Sequence, residues 1–276
     1  MTGTARVVDA AGYTWHMVEW GEPTDPPLLL VHGVTSSSET FWQVGPTLAA
    51  SGLSVVAVDL PGHGRTGGWR GRHRFIETAE DLAGFIRAAE LDLDALPVLG
   101  HSWGAMTVAS LPAAGCRPDR LILLDPPALR MDDLVALSED PTEQRYDDLA
   151  DAIAVIRSSG VGWSEGDIRA KAIALTQVDQ TAARAVYLEN GEWDAGLAAL
   201  SDPAAEAIPT WIIRGEPAHG GLTADKEFAA LTDRVGSDHV ITIAGGPHSP
   251  QRTHLEETVL AILRALEVWP QTSSNH

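Results

Sequence analysis

A serine with a glycine two positions away on each side carries the strongest chemical signal in the sequence. It lies in Gly100-His101-Ser102-Trp103-Gly104, which follows the apolar pair Val98-Leu99 and precedes the helix-forming Ala105-Met106. This G-x-S-x-G spacing is typical of a sharp turn between a strand and a helix, with a nucleophilic serine at its tip. Small residues beside the turn let the strand and the helix approach closely. The pattern predicts that Ser102 is a nucleophile, although Gly- and Ser-rich loops also produce it by chance.

A serine hydroxyl is a poor nucleophile at neutral pH, so it needs a base that accepts its proton during attack. Imidazole titrates in the required range and can later protonate the leaving group. His248 is the predicted base, because it follows the apolar run 239–244 in the loop Gly245-Gly246-Pro247-His248. Four other histidines lie in loops near the expected cleft and are candidates to line it: His32, His63, His101 and His219. The remaining ones are expected to be surface or packing residues: His16, His73, His239, His254 and His276.

Continuous apolar runs that alternate with helical segments must position these residues. Such runs are typical of strands that are buried on both faces of a parallel sheet. The predicted strands are Leu28–Val31, Ser54–Leu60, Pro97–His101, Arg120–Asp125, Pro209–Glu216 and His239–Gly245, after an opening hairpin of Ala5–Asp9 and Tyr13–Trp20. The predicted helices are Phe41–Ala50, Phe75–Leu91, Ser102–Ala114, Thr223–Leu231 and Leu255–Val268. This alternation predicts a doubly wound α/β sheet.

The pattern changes between residues 128 and 207. No stretch there has the apolar run of a buried strand, and acidic, Ala-rich helical segments take its place at Tyr146–Ser158, Glu165–Val178 and Gln180–Leu188. We therefore expect an inserted helical cap over 128–207, with an α/β core made of 1–127 and 208–270. The tail 271–276 is expected to be disordered.

Four motifs, in this order along the chain, resemble those of the α/β-hydrolase family. They are His32-Gly33, Asp59-Leu60-Pro61-Gly62-His63-Gly64, the Ser102 motif and Gly246-Pro247-His248. The resemblance covers nearly the whole chain except the cap. It implies a mostly parallel eight-stranded sheet, no cofactor, and a triad in the order nucleophile, acid, histidine. Backbone N–H groups of Trp103 and of the Gly33-Val34 loop would form the oxyanion hole.

Two of these motifs also have simpler interpretations. His32-Gly33 alone would be read as a tight turn. Asp59 and His63 resemble a catalytic pair, but their loop is rich in turn-forming residues, which favours hydrogen bonds that shape the loop.

The acid of the triad departs from the commonest family pattern. Many members carry an Asp three residues after the glycine that ends the penultimate strand, and this chain has Ala218 there. Asp125 is the preferred acid, since it closes the strand after the Ser102 helix, as in haloalkane dehalogenases and the zearalenone lactonase group, which are similar in layout. Glu216 is the second candidate and Asp225 a third. The simpler interpretation of Asp125 is a cap on the Pro126-Pro127 turn.

Composition limits the partners and the compartment. The 276 residues carry a formal net charge of −19, which argues against nucleic acids and anionic membranes as partners. No apolar run is long enough for a transmembrane helix, and the first residues lack the apolar core of a signal peptide, so a cytoplasmic location is expected. The single cysteine, Cys116, excludes an internal disulfide and a multi-cysteine metal site, and no metal is expected.

These residues favour a cofactor-independent serine hydrolase of carboxylic esters, lactones among them, acting on a small molecule. A Ser at position 102 excludes an alkyl-enzyme ester on Asp, which argues against dehalogenase and epoxide hydrolase activity. A C–C bond hydrolase, a perhydrolase and a low-turnover ligand receptor stay open as alternatives on the same triad. In the cap, Trp163 and Trp193 are candidate apolar contacts for the substrate, although tryptophans more often serve packing. The sequence leaves the oligomeric state open.

Overall fold

The computed structural model describes residues 3–159 and 162–268, and one large sheet organises them. The predicted tail 271–276 lies outside these residues. The strands are β1 Thr4–Ala10, β2 Tyr13–Trp20, β3 Pro27–Val31, β4 Ser54–Val58, β5 Pro97–His101, β6 Arg120–Leu124, β7 Ala128–Leu129, β8 Trp193–Asp194, β9 Thr210–Gly215 and β10 Val240–Ile243. Eight of them form the sheet in the order β1-β2-β4-β3-β5-β6-β9-β10. The pairs β1-β2 and β2-β4 are antiparallel and the other pairs are parallel, which confirms the predicted sheet.

Helices cover both faces of this sheet. They are α1 Val44–Ala49, α2 Phe75–Ala88, α3 Trp103–Ser110, α4 Met131–Glu139, α5 Leu149–Ser158, α6 Glu165–Gln177, α7 Gln180–Glu189, α8 Leu197–Leu200, α9 Asp225–Val235, α10 Pro250–Thr253 and α11 Leu255–Ala265. Successive strand side chains point to opposite faces, so Leu29 and Val31 join the core under α2 and α3. Leu28 and Leu30 join the core under α1 and α11. This double burial explains why the central strands are uniformly apolar.

Three predicted helices end earlier than the apolar pattern indicated. Helix α2 stops at Ala88, and Glu90 then has a left-handed φ of 59°. Helix α11 stops at Ala265, two residues before Glu267 with a φ of 58°. Helix α3 ends at Ser110, because Pro112 has no N–H to extend the hydrogen-bond ladder.

The segment between β6 and β9 carries helices α4 to α8. The two-residue strands β7 and β8 pair with each other in an antiparallel ribbon, and neither these strands nor α4 were predicted. Helices α5 and α6 share a small apolar core of their own, around Ile156 and Leu175. Across the described ranges, no helix is both long and apolar enough to cross a membrane.

Candidate active site

Ser102 lies at the tip of a strained turn between β5 and α3. Its φ of 56° and ψ of −122° fall outside the regions that a serine normally occupies. A Cβ atom at Gly100 would overlap the carbonyl group of Gly104, and one at Gly104 would overlap the carbonyl oxygens of Val31 and His32. Glycine at both positions is therefore what allows the strand and the helix to pack closely beneath the serine.

His248 connects Ser102 to Asp125 through two hydrogen bonds. Its Nε2 atom lies 2.9 Å from Ser102 Oγ, and its Nδ1 atom lies 2.6 Å from Asp125 Oδ2. Asp125 is completely buried, whereas about a quarter of the His248 side chain is exposed. The structure thus brings together the three residues that the sequence selected as nucleophile, base and preferred acid.

Backbone groups fix the Asp125 carboxylate in this position. Oδ1 accepts the N–H of Gly215 at 2.9 Å, and Oδ2 accepts the N–H of Leu222 at 2.8 Å. The hydroxyl of Thr223 lies 3.2 Å from Oδ1 and 2.8 Å from the Pro126 carbonyl oxygen. Both Asp125 oxygens already accept these donors, so the proton of the hydrogen bond to His248 lies on Nδ1. His248 then presents an unprotonated Nε2 toward Ser102.

The other two candidate acids have different partners. Glu216 accepts the N–H of Gly245 at 2.8 Å and lies 3.1 Å from His219 Nδ1. The Gly245 N–H and, after it, the positive potential of His219 hold the pKa of Glu216 below its usual value. Asp225 forms an ion pair with Arg214 at 2.8 Å. Neither carboxylate contacts His248, so the structure favours Asp125 among the three.

The predicted oxyanion loop follows β3 and lies against Ser102. Within the described chain, the N–H groups of Val34 and Trp103 have no hydrogen-bond acceptor, which leaves them free for a substrate oxygen. A Cβ at Gly33 would lie 3.0 Å from the Ser102 Cβ, so glycine permits this approach. His32 holds the loop, because its Nε2 accepts the Leu60 N–H at 3.0 Å and its Nδ1 lies 2.7 Å from the Gly33 carbonyl oxygen.

Asp59 shapes the loop after β4 and lies apart from the Ser102 relay. It accepts the N–H groups of Ser38 at 2.6 Å and Arg65 at 2.9 Å, and it lies 3.0 Å from His16 Nδ1. These contacts match the simpler of its two interpretations, in which Asp59 and His63 serve the loop.

Two further buried histidines stay neutral beneath the site. Burial lowers the pKa of His63 to about 3, and its ring packs 5.0 Å from that of Trp103. Burial also lowers the pKa of His101 well below its usual value. The Nε2–H of His101 donates to the His248 backbone carbonyl at 2.8 Å, which steadies the loop that carries His248.

A cavity of about 400 Å³ opens in front of Ser102 and His248. Its walls come from the oxyanion loop, from the segment between β6 and β9, and from the loops after β9 and β10. The apolar part includes Leu129, Leu137, Trp163, Trp193 and Leu222, and His101 and His219 also line it. Both tryptophans that the sequence singled out therefore face the space in front of the serine, whereas His32 and His63 lie outside it.

One wall of the cavity carries a charged cluster that sequence reasoning missed. Lys171 of α6 donates to the Thr35 hydroxyl at 2.6 Å and to Glu143 Oε1 at 3.0 Å. Tyr187 of α7 donates to Glu143 Oε2 at 3.0 Å. Burial lowers the pKa of Lys171 and raises that of Tyr187. The cluster ties the segment between β6 and β9 to the oxyanion loop.

Among the described residues, no group of His, Cys, Asp or Glu is arranged to hold a metal ion.

These features define an α/β hydrolase. Residues 26–247 match the family model of the alpha/beta hydrolase fold, and the chain belongs to that family. The resemblance to zearalenone lactonases in particular stays a prediction.

Several known proteins are similar to this chain. 2-(Acetamidomethylene)succinate hydrolase of Mesorhizobium japonicum is 27% identical over 95% of both chains. Monoacylglycerol lipase of Mycolicibacterium smegmatis is 34% identical over 42% of this chain and 44% of its own length, so the chain matches less than half of that relative. Epoxide hydrolase A of Mycobacterium tuberculosis is 31% identical over 40% of this chain and 34% of its own. The crystal structure of E-2-(acetamidomethylene)succinate hydrolase has a TM-score of 0.80 at 22% identity, covering 96% of this chain and 99% of that one.

Proposed function

We propose that the chain is a serine hydrolase that cleaves carboxylic esters of small molecules, lactones among them, through an acyl-enzyme on Ser102. The observation that carries this proposal is the continuous relay from Ser102 Oγ through the two ring nitrogens of His248 to Asp125. A serine, a base and an orienting carboxylate in this arrangement recur in acyl transfer on unrelated folds.

In the acylation step, Ser102 Oγ attacks the ester carbonyl carbon while His248 Nε2 accepts the hydroxyl proton. The carbonyl oxygen becomes an oxyanion, which the N–H groups of Val34 and Trp103 stabilise. His248 then returns its proton to the leaving alkoxide, and Asp125 stabilises the imidazolium in between.

In the deacylation step, a water molecule replaces the alcohol and His248 accepts its proton. The hydroxide attacks the acyl carbon, the same two N–H groups hold the second oxyanion, and Ser102 leaves with the proton from His248. We assign residues 128–207 as a helical cap on a core of 1–127 and 208–270. In this assignment the cap residues Trp163 and Trp193 contribute apolar contacts that select the acyl or alcohol part.

The comparisons support hydrolysis but do not identify the type of bond that is cleaved, because the relatives' names include a lipase and epoxide hydrolases. The residue at position 102 favours ester cleavage over epoxide opening. An alkyl-enzyme ester needs a carboxylate nucleophile, and this elbow carries a serine.

A fluorophosphonate label combined with a substrate panel tests the proposal. The wild type should be labelled at Ser102 and should hydrolyse 4-nitrophenyl esters and simple lactones. Ser102→Ala should lose the label and at least about 10³-fold in kcat with an unchanged circular dichroism spectrum. Ser110→Ala is the matched control, since this helix α3 serine bonds only the Met106 carbonyl oxygen. Full ester turnover by Ser102→Ala would rule out the mechanism. Cleavage of a vinylogous diketone alone would favour a C–C hydrolase, and labelling without turnover would favour a receptor.

A further inference from the structure

Arg252 is a buried arginine in the wall of the catalytic cavity that the mechanism above does not use. It lies in α10, four residues after His248 in the chain, and only 9% of its surface is exposed. The cavity is lined by Arg252 together with Ser102 and His248. Among the described residues, its Nε and Nη1 atoms have no hydrogen-bond partner. A guanidinium stays charged in proteins, so buried donors without a partner call for an explanation.

The Arg252 guanidinium stacks on an aromatic ring. The Arg252 Cζ atom lies 4.0 Å above the centre of the Trp163 ring. A stacked ring attracts the positive charge through its face, but the N–H donors of a guanidinium point outward in its own plane. The stacking therefore orients the group and leaves its donors available.

The two carboxylates whose negative charge acts on Arg252, Glu143 and Asp167, are held by other groups. Glu143 accepts from Lys171 and Tyr187, as described above. Asp167 accepts from Trp42 Nε1 at 3.0 Å, from Gln43 Nε2 at 3.0 Å and from the Ser164 hydroxyl at 2.6 Å. Within the described ranges, neither carboxylate forms an ion pair with Arg252.

Among the described residues that line the cavity, Arg252 is therefore a cation without an ion-pair partner, and it lies four residues after His248 in the chain. Burial lowers the pKa of Arg252 to about 10, and the negative charges of Asp167 and Glu143 oppose this decrease, so the group is charged at neutral pH. Lys171 is not equivalent, because its ammonium already contacts Glu143 and Thr35.

We propose that Arg252 binds a carboxylate group of the substrate, so that the natural ester or lactone carries a second, ionised carboxyl group. The planar donor fork of arginine matches a carboxylate, and a bond between two charged groups is stronger than a neutral one. A single available guanidinium close to Glu143 suits a monoanion better than a phosphate dianion. This inference rests on the proposed function, because it assigns the substrate class of the same site.

The first test compares two esters with the same leaving group and the same acyl length. Mono-4-nitrophenyl glutarate ends in a carboxylate, whereas 4-nitrophenyl pentanoate ends in a methyl group. The readout is the ratio of kcat/KM for glutarate over pentanoate, after subtraction of the Ser102→Ala blank, since a ratio cancels any loss common to both esters. Arg252→Met should lower this ratio by about 10- to 150-fold, the range for a hydrogen bond between charged groups. Arg252→Lys keeps the charge but loses the planar donor fork, so its ratio should fall between those of the wild type and Arg252→Met.

The chain offers a matched control in Arg264. This exposed arginine also stacks on a tryptophan, with its Cζ 5.8 Å from the Trp211 ring centre, and it lies on α11 outside the cavity lining. Arg264→Met removes the same charge and the same kind of contact, so it should keep the wild-type ratio. Thermal melts of every variant check folding. If Arg252→Met does not fold, the Arg252→Lys ratio decides.

A binding measurement separates failure of this inference from failure of the proposed function. Glutarate should raise the Tm of Ser102→Ala, raise it less when Arg252→Lys is added, and leave it unchanged when Arg252→Met is added. Neutral pentanamide should not distinguish the three variants. If the wild type cleaves neither ester but glutarate still stabilises Ser102→Ala through Arg252, the proposed function fails and the carboxylate site stands. If the pentanoate ester is cleaved and neither the ratio nor the Tm depends on Arg252, the carboxylate site is wrong. Equal stabilisation by inorganic phosphate would also overturn the carboxylate assignment.

Discussion

Replacement of Asp125 by asparagine removes one charge and exchanges one acceptor for a donor at a buried position. The carboxylate accepts from Gly215 at one oxygen, and from Leu222 and His248 at the other. If the asparagine NH2 group faces Gly215, two donors oppose each other, but His248 keeps its tautomer. If the NH2 group faces His248, it opposes the Leu222 N–H, and the ring must carry its proton on Nε2. That tautomer cannot accept the proton of Ser102.

The two orientations set the size of the effect. The first loses the charged acceptor that stabilises the imidazolium, which corresponds to about 10- to 150-fold in kcat. The second has the wrong tautomer, for which a loss of about 10⁴-fold is the reference in a serine protease triad. Either orientation leaves a buried N–H without an acceptor, so the free energy of unfolding should decrease by about 1–3 kcal/mol. We therefore expect Asp125→Asn to lose between about 10-fold and 10⁴-fold in kcat and to remain folded.

The assay measures kcat with a saturating 4-nitrophenyl ester and unfolding in urea, side by side with Glu216→Gln. A glutamine at this exposed position can still accept the Gly245 N–H, so its rate should stay within about twofold of the wild type. If Asp125→Asn kept more than a tenth of the rate while Glu216→Gln fell more than tenfold, Glu216 would be the acid. If both kept the full rate, the triad assignment would be refuted.

Two further perturbations test the surroundings of the site. Lys171→Met removes the cation that Glu143 faces at 3.0 Å in a buried pair. We expect the free energy of unfolding in urea to decrease by about 3–5 kcal/mol and kcat to decrease as well, because the oxyanion loop loses its anchor. Lys171→Arg should recover part of the stability and part of the rate. A fully stable Lys171→Met variant would contradict this role of Lys171. The pKa of His63 is about 3 in the folded chain and near 6.5 when unfolded, so the unfolded state binds more protons between these values. The free energy of unfolding should therefore decrease as pH falls below about 6.5, by up to about 1.4 kcal/mol per pH unit. His63→Gln should lose less stability than the wild type between pH 7 and pH 5. Equal slopes of unfolding free energy against pH in the two proteins would refute a neutral, buried His63.

The sheet and the Ser102 turn could be predicted because their signals are local. A strand buried on both faces must be apolar at every position, so runs such as Leu28–Val31 are visible without any knowledge of their neighbours. The choice of acid is different, because it depends on which loop approaches the His248 ring. Strand β6 lies next to β5 in the sheet, and the end of β9 and the loop after it supply the amides that hold Asp125. That juxtaposition is a property of the fold, and the sequence could only rank the candidates.

The charged residues of the cavity were missed for the same reason. Lys171 lies on α6, where three of the seven buried residues are alanines, and no local pattern marks this lysine as buried. Glu143 lies in a short turn, and its contacts with Lys171 and Tyr187 join residues 28 and 44 positions apart. Arg252 had a weak signal, since it follows the predicted base by four residues. A charged residue so close in the chain to a predicted catalytic histidine is a candidate for substrate recognition in its own right.

The net charge of −19 and the cation in the cavity act over different distances. Exposed charges separated by more than about 8–10 Å are largely screened at physiological salt, so the acidic surface opposes extended polyanions that must lie along it. A small anion inside the cavity would be governed by the groups it contacts, because buried charges are screened much less. In the proposed site, Arg252 can therefore select a carboxylate despite the net charge of −19. It follows that added salt should change KM for the glutarate ester much less than Arg252→Met does.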